Sequence, residues 1–281
     1  MARINPWQWG ETNVRTLLAA FVGVFACVVL MVGPAYPIVD QFDGATPAQD
    51  VALPNGTPGR AGTLPAASRT SLADHTSRLH VFADPDWFQW GGSVMQDHDG
   101  QYHMFYSRWR RDNPRGMRGW LYESQIAHAV ADRPEGPYVH QEVVLEGFGE
   151  PQASRWDAVN AHNPCITRMT DPDTGRDRYY LYYVASRDDD RFTREGGEDD
   201  WWDHIINQRV GVAVSDSFGG PWTRHPEPVI SPPNGPLRHY LVNPGVTQLP
   251  DGRYLMVLKG RDDGPNHGRM IHGWALADRP E

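Results

Sequence analysis

Cysteine is scarce in this sequence, with only Cys27 and Cys165 in 281 residues. Two thiols so placed build neither a disulfide framework nor a cysteine-based metal site. Cys165, following Asn163-Pro164 at a strand start, reads as a buried small apolar residue. His-x-His and His-Glu-x-x-His patterns are missing too, so metal catalysis has no motif to rest on. No cofactor is expected, although a Ca²⁺ ion in a central channel would be compatible with the architecture argued below. No Lys/Arg-rich run occurs, and the net charge of −9 speaks against nucleic acid, whose phosphates need a cationic surface. Helical periodicity is absent from the part of the chain that carries the repeats.

What is present begins with an uncharged apolar stretch, Thr16 to Gly33, preceded by Arg3 and Arg15 and followed by Gly33-Pro34-Ala35. It fits a secretory signal peptide, or an uncleaved signal anchor, since ~18 apolar residues can just span a bilayer. Either reading exports the remainder, to a secreted, periplasmic or cell-surface location, with the membrane touched only through this segment. The chain therefore divides into an export segment (1–35), a flexible Pro-, Ala-, Gly- and Thr-rich linker (36–77) and a folded part (78–281). An acidic island, Ser186 to Asp203, interrupts the folded part as a solvated loop. Its Trp201-Trp202 pair could reach over a cleft.

The folded part says one phrase three times. Trp90-Gly91-Gly92-Ser93-Val94, a turn at Asp99-Gly100 and Tyr102-His103-Met104-Phe105-Tyr106 form the first copy. His162-Asn163-Pro164-Cys165-Ile166 with Tyr179-Tyr180-Leu181-Tyr182-Tyr183 form the second. Val242-Asn243-Pro244-Gly245-Val246, Asp251-Gly252 and Tyr254-Leu255-Met256-Val257-Leu258 form the third. Asp-Gly between runs of β-formers is a hairpin signal. Each copy continues with a third strand beginning near Gln125, Val210 or Ile271, and then a turn through Asp132, Asp216 or Asp278. An outer strand follows in the first two, Tyr138 to Leu145 and Trp222 to Ile230. Those aspartates recur at one place in every copy and read as turn residues, without a catalytic role.

Four antiparallel strands in sequence, repeated, describe blades of a β-propeller. The predicted fold is all-β, of the five-bladed type, with about three blades present. Three blades do not close a ring, so the chain is expected to be the front of a longer protein. The first strand of each blade should line the channel, placing Trp90 with Gly91-Gly92, His162-Asn163, and Asn243 around one pocket. Asn before Pro can be a simple turn signal, yet two copies beside one pocket point to amides that read hydroxyls.

These motifs resemble the five-bladed propeller glycoside hydrolases, the arabinanase, xylosidase and sucrase relatives. The resemblance is carried by Gly-Gly-Ser-Val…Asp-Gly-x-Tyr-His-Met-Phe-Tyr-Ser, by Ile-Ala-His-Ala-Val-Ala-Asp-Arg-Pro-Glu-Gly-Pro-Tyr, and by Trp156-Asp157…His162-Asn163-Pro164. It implies an axial pocket with two carboxylates that cleave a glycosidic bond, one of them an Asp opening the first channel strand. Here that position falls at Gly91-Gly92, and Asn243 stands where a third-blade proton donor would be sought.

The acids that could substitute are Asp157 as base or nucleophile, and His162 or Glu123 as proton donor. Trp90, Asn163 and Asn243 are candidate substrate-binding residues. So are the cations Arg108, Arg209 and Lys259, any of which could hold a carboxylate of an acidic sugar or pair with a catalytic acid. The expected activity is an exported glycoside hydrolase acting as a monomer on poly- or oligosaccharide. The alternative is a propeller that binds carbohydrate without cleaving it.

Overall fold

The computed structural model describes residues 81–148, 154–187, 205–232, 237–265 and 268–281. The export segment, the linker and the acidic island from residue 188 on, with Trp201-Trp202, lie outside the described residues.

Three antiparallel sheets follow one another along the chain. The first is β1 (Trp87–Gln96), β2 (Tyr102–Arg110), β3 (Gln125–Ala131) and β4 (Val139–Leu145), hydrogen-bonded in chain order. The second is β5 (His162–Thr170), β6 (Asp177–Ala185), β7 (Arg209–Ser215) and a short β8 (Thr223–Arg224). The predicted outer strand Trp222 to Ile230 thus survives as two residues, with a separate bridge from Val210 to Ile230. The third is β9 (Leu241–Gln248), β10 (Tyr254–Arg261) and β11 (Met270–Ala277). The sequence suggested no helix. The structure contains a 3-10 turn at Gly116–Gly119 running into α1 (Trp120–Glu123), one turn long.

Burial explains why the second strands read as near-continuous apolar runs. In β6 every residue from Tyr179 to Ala185 is buried, because a blade lies against each face of its sheet. Phe105 and Ile126 of blade 1 pack with Ile166, Tyr179, Leu181 and Tyr183 of blade 2. Tyr180, Tyr182 and Val212 of blade 2 pack with Val246, Met256, Leu258 and Ala275 of blade 3. The outer strand β4 has only its last residue buried and is correspondingly polar. Cys165 is only partly exposed, not fully buried as expected, since the innermost strand has no further strand inside it.

Side chains reaching from one blade to backbone of the next stitch the blades together. Ser107 Oγ accepts from the Asn163 amide (2.9 Å) and Ser93 Oγ from that of Ile166 (3.1 Å). Tyr254 Oη donates to the Thr170 carbonyl (2.7 Å), and Tyr182 Oη to that of Pro280 (2.6 Å).

A charged clamp does the same at the blade 1–blade 2 junction. Asp157 is fully buried. It accepts from Arg155 Nε (3.0 Å), Tyr183 Oη (2.9 Å) and Arg224 Nη1 (3.2 Å). Arg224 also donates to the Glu146 carbonyl (2.6 Å), and both guanidiniums lie 4.2 Å above the Phe148 ring. At the same junction, Asp97 Oδ2, His103 and His128 form a line, with contacts of 3.0 and 2.9 Å. Phe218 of blade 2 stacks on His103 at 3.9 Å.

Three measurements test this account. Gly211 faces the Trp156 ring so closely that a Cβ would overlap it. Gly211→Ala should therefore lose about 1–3 kcal/mol in urea unfolding, and an unchanged midpoint would refute the packing. Asp157→Asn leaves two guanidiniums without their counter-charge and should lose about 3–5 kcal/mol. Desolvation lowers His128 to about 4, so the folded state binds fewer protons than the unfolded chain. Stability should hold above pH ~6.5 and fall as pH drops toward 4, by up to ~1.4 kcal/mol per pH unit for this group. A His128→Gln variant should unfold with a flatter profile over that range.

Candidate carbohydrate site at the propeller mouth

All three innermost strands break register at the same point of the repeat. In β1 the partners run Trp90↔Ser107, then Gly92↔Tyr106, leaving Gly91 unpaired. In β5 they skip from His162↔Val184 to Cys165↔Tyr182. In β9 they skip from Lys259↔Val242 to Val257↔Gly245. The residue lifted out takes a left-handed backbone each time: Gly91 at φ 49°, Asn163 at 49° and Asn243 at 55°. Glycine and asparagine are the residues that adopt this conformation most readily. Local backbone chemistry thus selects the residue type, and the bulge turns its side chain away from the ladder.

Two carboxamides meet as a result. Asn163 Nδ2 donates to Asn243 Oδ1 at 2.7 Å. A Cβ on Gly91 would stand 3.7 Å from Asn163 Oδ1, so that oxygen faces the space beside the glycine. Asn163 is partly exposed and Asn243 exposed. Asn163 Oδ1 and Asn243 Nδ2 have no hydrogen-bond partner among the described residues, leaving one acceptor and one donor facing outward. Trp90 precedes Gly91 and is partly exposed.

The other candidates sit differently. His162 is buried, sharing a hydrogen bond with Ser124 Oγ (2.8 Å) and stacked on Trp120 at 4.8 Å. Burial drives its pKa down to about 3, so the ring is neutral at physiological pH and anchors α1 to the start of β5. Asp157 has both oxygens engaged in the interblade clamp. Glu123 is exposed at the end of α1, next to Ser124. Arg108 belongs to the opposite face of blade 1. It donates to Gln125 Oε1 (2.8 Å), approaches His140 Nε2 (3.2 Å) and lies 4.1 Å over Trp87. Arg209 donates to the carbonyls of Ile206 and Gln208, fastening the turn before β7. Lys259 is partly exposed immediately beside the Asn243 bulge.

The structure therefore gathers Gly91, Asn163, Asn243 and Lys259 about the mouth, with Trp90 adjoining. It sets Arg108, Arg209 and Asp157 among structural contacts. Sequence reasoning missed Ser107, which is fully buried and holds the amide that the Asn163 bulge releases. A serine within an aromatic strand is its only trace in the sequence. Among the described residues no group of three or more His, Cys, Asp or Glu side chains could hold a metal ion.

No protein-family model matches the sequence, and no curated protein matches it significantly. Solved structures do. A family 117 glycoside hydrolase of the marine bacterium Zobellia galactanivorans aligns at 18% identity with a TM-score of 0.53, over 72% of this chain and 57% of its own. An inulosucrase from Halalkalicoccus jeotgali, bound to kestose, aligns at 26% identity and TM-score 0.45, over 68% and 48%. An endo-arabinase from Bacteroides thetaiotaomicron aligns at 14% and 0.43, over 66% and 55%. The chain spans little more than half the length of the Zobellia enzyme. What that likeness carries is the architecture: this chain has the blade fold of the glycoside hydrolase propellers.

Proposed function

We propose that this chain is an exported carbohydrate-recognising propeller, binding saccharide at the mouth through Asn163 and Asn243. A sugar hydroxyl both donates and accepts, and neighbouring hydroxyls on a ring are matched by an amide's adjacent donor and acceptor. Trp90 supplies an apolar face on which a ring can lie. The observation that carries the reading is the 2.7 Å carboxamide pair on two left-handed residues at equivalent points of successive blades. Apolar core packing gives no reason for such a pair, and the bulges hold it in place before any ligand arrives.

Among the described residues, recognition is better supported than cleavage. Glycoside hydrolysis needs two carboxyl groups about 5 to 9.5 Å apart across the bond. The three equivalent inner positions carry glycine and two asparagines. Asp157 is committed to Arg155, Arg224 and Tyr183, and His162 is a neutral imidazole at neutral pH, not the imidazolium that a general acid requires. One observation favours a hydrolytic second reading: Glu123 is exposed on α1, one residue before the serine bonded to His162.

Calorimetric titration with arabino-, xylo- and galacto-oligosaccharides, run beside a reducing-sugar assay, distinguishes the readings. Binding without sugar release is expected. Asn163→Ala and Asn243→Ala should each weaken binding about tenfold, the worth of one or two hydrogen bonds. Wild-type affinity in both variants would remove the amides from the site. Sugar release abolished by Glu123→Gln would establish the hydrolytic reading instead.

A further inference from the structure

The three left-handed positions share a backbone but not a side chain. Asn163 and Asn243 hold φ 49° and 55°, and Gly91 holds φ 49°. Asparagine is therefore compatible with this backbone, and the conformation does not by itself require glycine at 91. The consequence is spatial. Between the second and third blades a carboxamide bridges one inner strand to the next, Asn163 Nδ2 to Asn243 Oδ1. Between the first and second blades Gly91 has no side chain with which to build the equivalent bridge. A Cβ placed on it would meet, beyond its chain neighbours, a single described atom within 4 Å: Asn163 Oδ1, at 3.7 Å.

This notch lies between two four-stranded sheets, and hydrogen bonds fix their spacing to either side of it. Ser107, opposite the residue before the bulge, accepts from the Asn163 amide, and Ser93, just after the bulge, accepts from that of Ile166. The wall of the notch is an acceptor, because the nitrogen of the same carboxamide is turned to Asn243. It suits a small group that carries a donor on a carbon. A carbon standing where the Cβ would stand puts its own hydroxyl at about 2.8 Å from Oδ1, an ordinary O–H···O length. A ring hydroxyl would bring two further ring atoms with its carbon into the space of one side chain. An exocyclic hydroxymethyl group reaches in on a single bond, and hexopyranoses have it where pentopyranoses do not.

We propose that the notch at Gly91 receives the hydroxymethyl group of a hexopyranose, whose hydroxyl donates to Asn163 Oδ1, so that the mouth selects hexoses over the matching pentoses. The inference rests on the carbohydrate reading above and names the class of sugar. Gly91 is then a specificity-determining residue through the side chain it lacks.

Two pairs of ligands differ only in that group: cellotetraose against xylotetraose, and methyl β-D-galactopyranoside against methyl α-L-arabinopyranoside. Titrated into the full chain, at least one hexose ligand should bind about tenfold more tightly than its pentose partner, the worth of one or two hydrogen bonds. Gly91→Asn introduces the residue that the equivalent positions already carry, so it should fold as the wild type does, read by urea unfolding. It should bring both pairs to equal affinity, because its carboxamide fills the notch and meets Asn163 Oδ1. A further ligand tests the hydrogen bond without altering the protein. The deoxy form of the preferred hexose, which keeps the exocyclic carbon and lacks its oxygen, should bind no better than the pentose. Equal affinity within both wild-type pairs overturns the notch while leaving sugar binding intact. So does a hexose preference that persists in folded Gly91→Asn or in the deoxy ligand. Failure of every ligand to bind overturns this inference and counts against the carbohydrate reading itself.

Discussion

Everything at the mouth depends on how the innermost strands manage a single backbone amide. A bulge removes one residue from the ladder, and the N–H it frees cannot be left buried and unpaired. In blade 2 the Ser107 hydroxyl of blade 1 accepts that hydrogen bond, so the break in one sheet is completed by the sheet before it. The same contact fixes the spacing of the two blades and the direction in which Asn163 leaves the strand. Loss of the hydroxyl would disturb blade packing and site geometry together, since one hydrogen bond serves both.

The interblade clamp shows the same economy with charge. Asp157 lies at no cost-free position: a carboxylate without solvent needs compensation, and two guanidiniums and a tyrosine hydroxyl provide it. Those partners come from the loop itself and from two strands of blade 2. What looked in sequence like an acid approaching the pocket is thus the pin that holds the blade 1 exit against blade 2. His162 follows a similar logic, with burial between aromatic rings making it a neutral post.

Much of the architecture was legible in sequence. The hairpin turns, the aromatic second strands and the recurring turn aspartates identify the sheets, because strand alternation and turn chemistry are local properties. Less legible were the short outer strand of blade 2 and the single turn of α1, whose limits depend on packing against neighbours. Within the site, the Gly-Gly and Asn-Pro openings are equivalent, and the doubled Asn-Pro already points to amides facing one pocket, although a single Asn-Pro would be read as a turn. Left-handed geometry inside a paired strand, rather than a turn, is what makes them a site.

The sequence by itself determined the three-blade pattern, the equivalence of Gly91, Asn163 and Asn243, and the lack of a carboxylate at those positions. These follow from residue type and period, which the chain carries at every point. Only tertiary structure decided that Asn163 bonds to Asn243, that Asp157 and His162 are enclosed, and that Lys259 pairs across from Val242 at the Asn243 bulge. Those facts concern residues far apart in the chain, and burial and pairing between such residues exist only once the blades have packed.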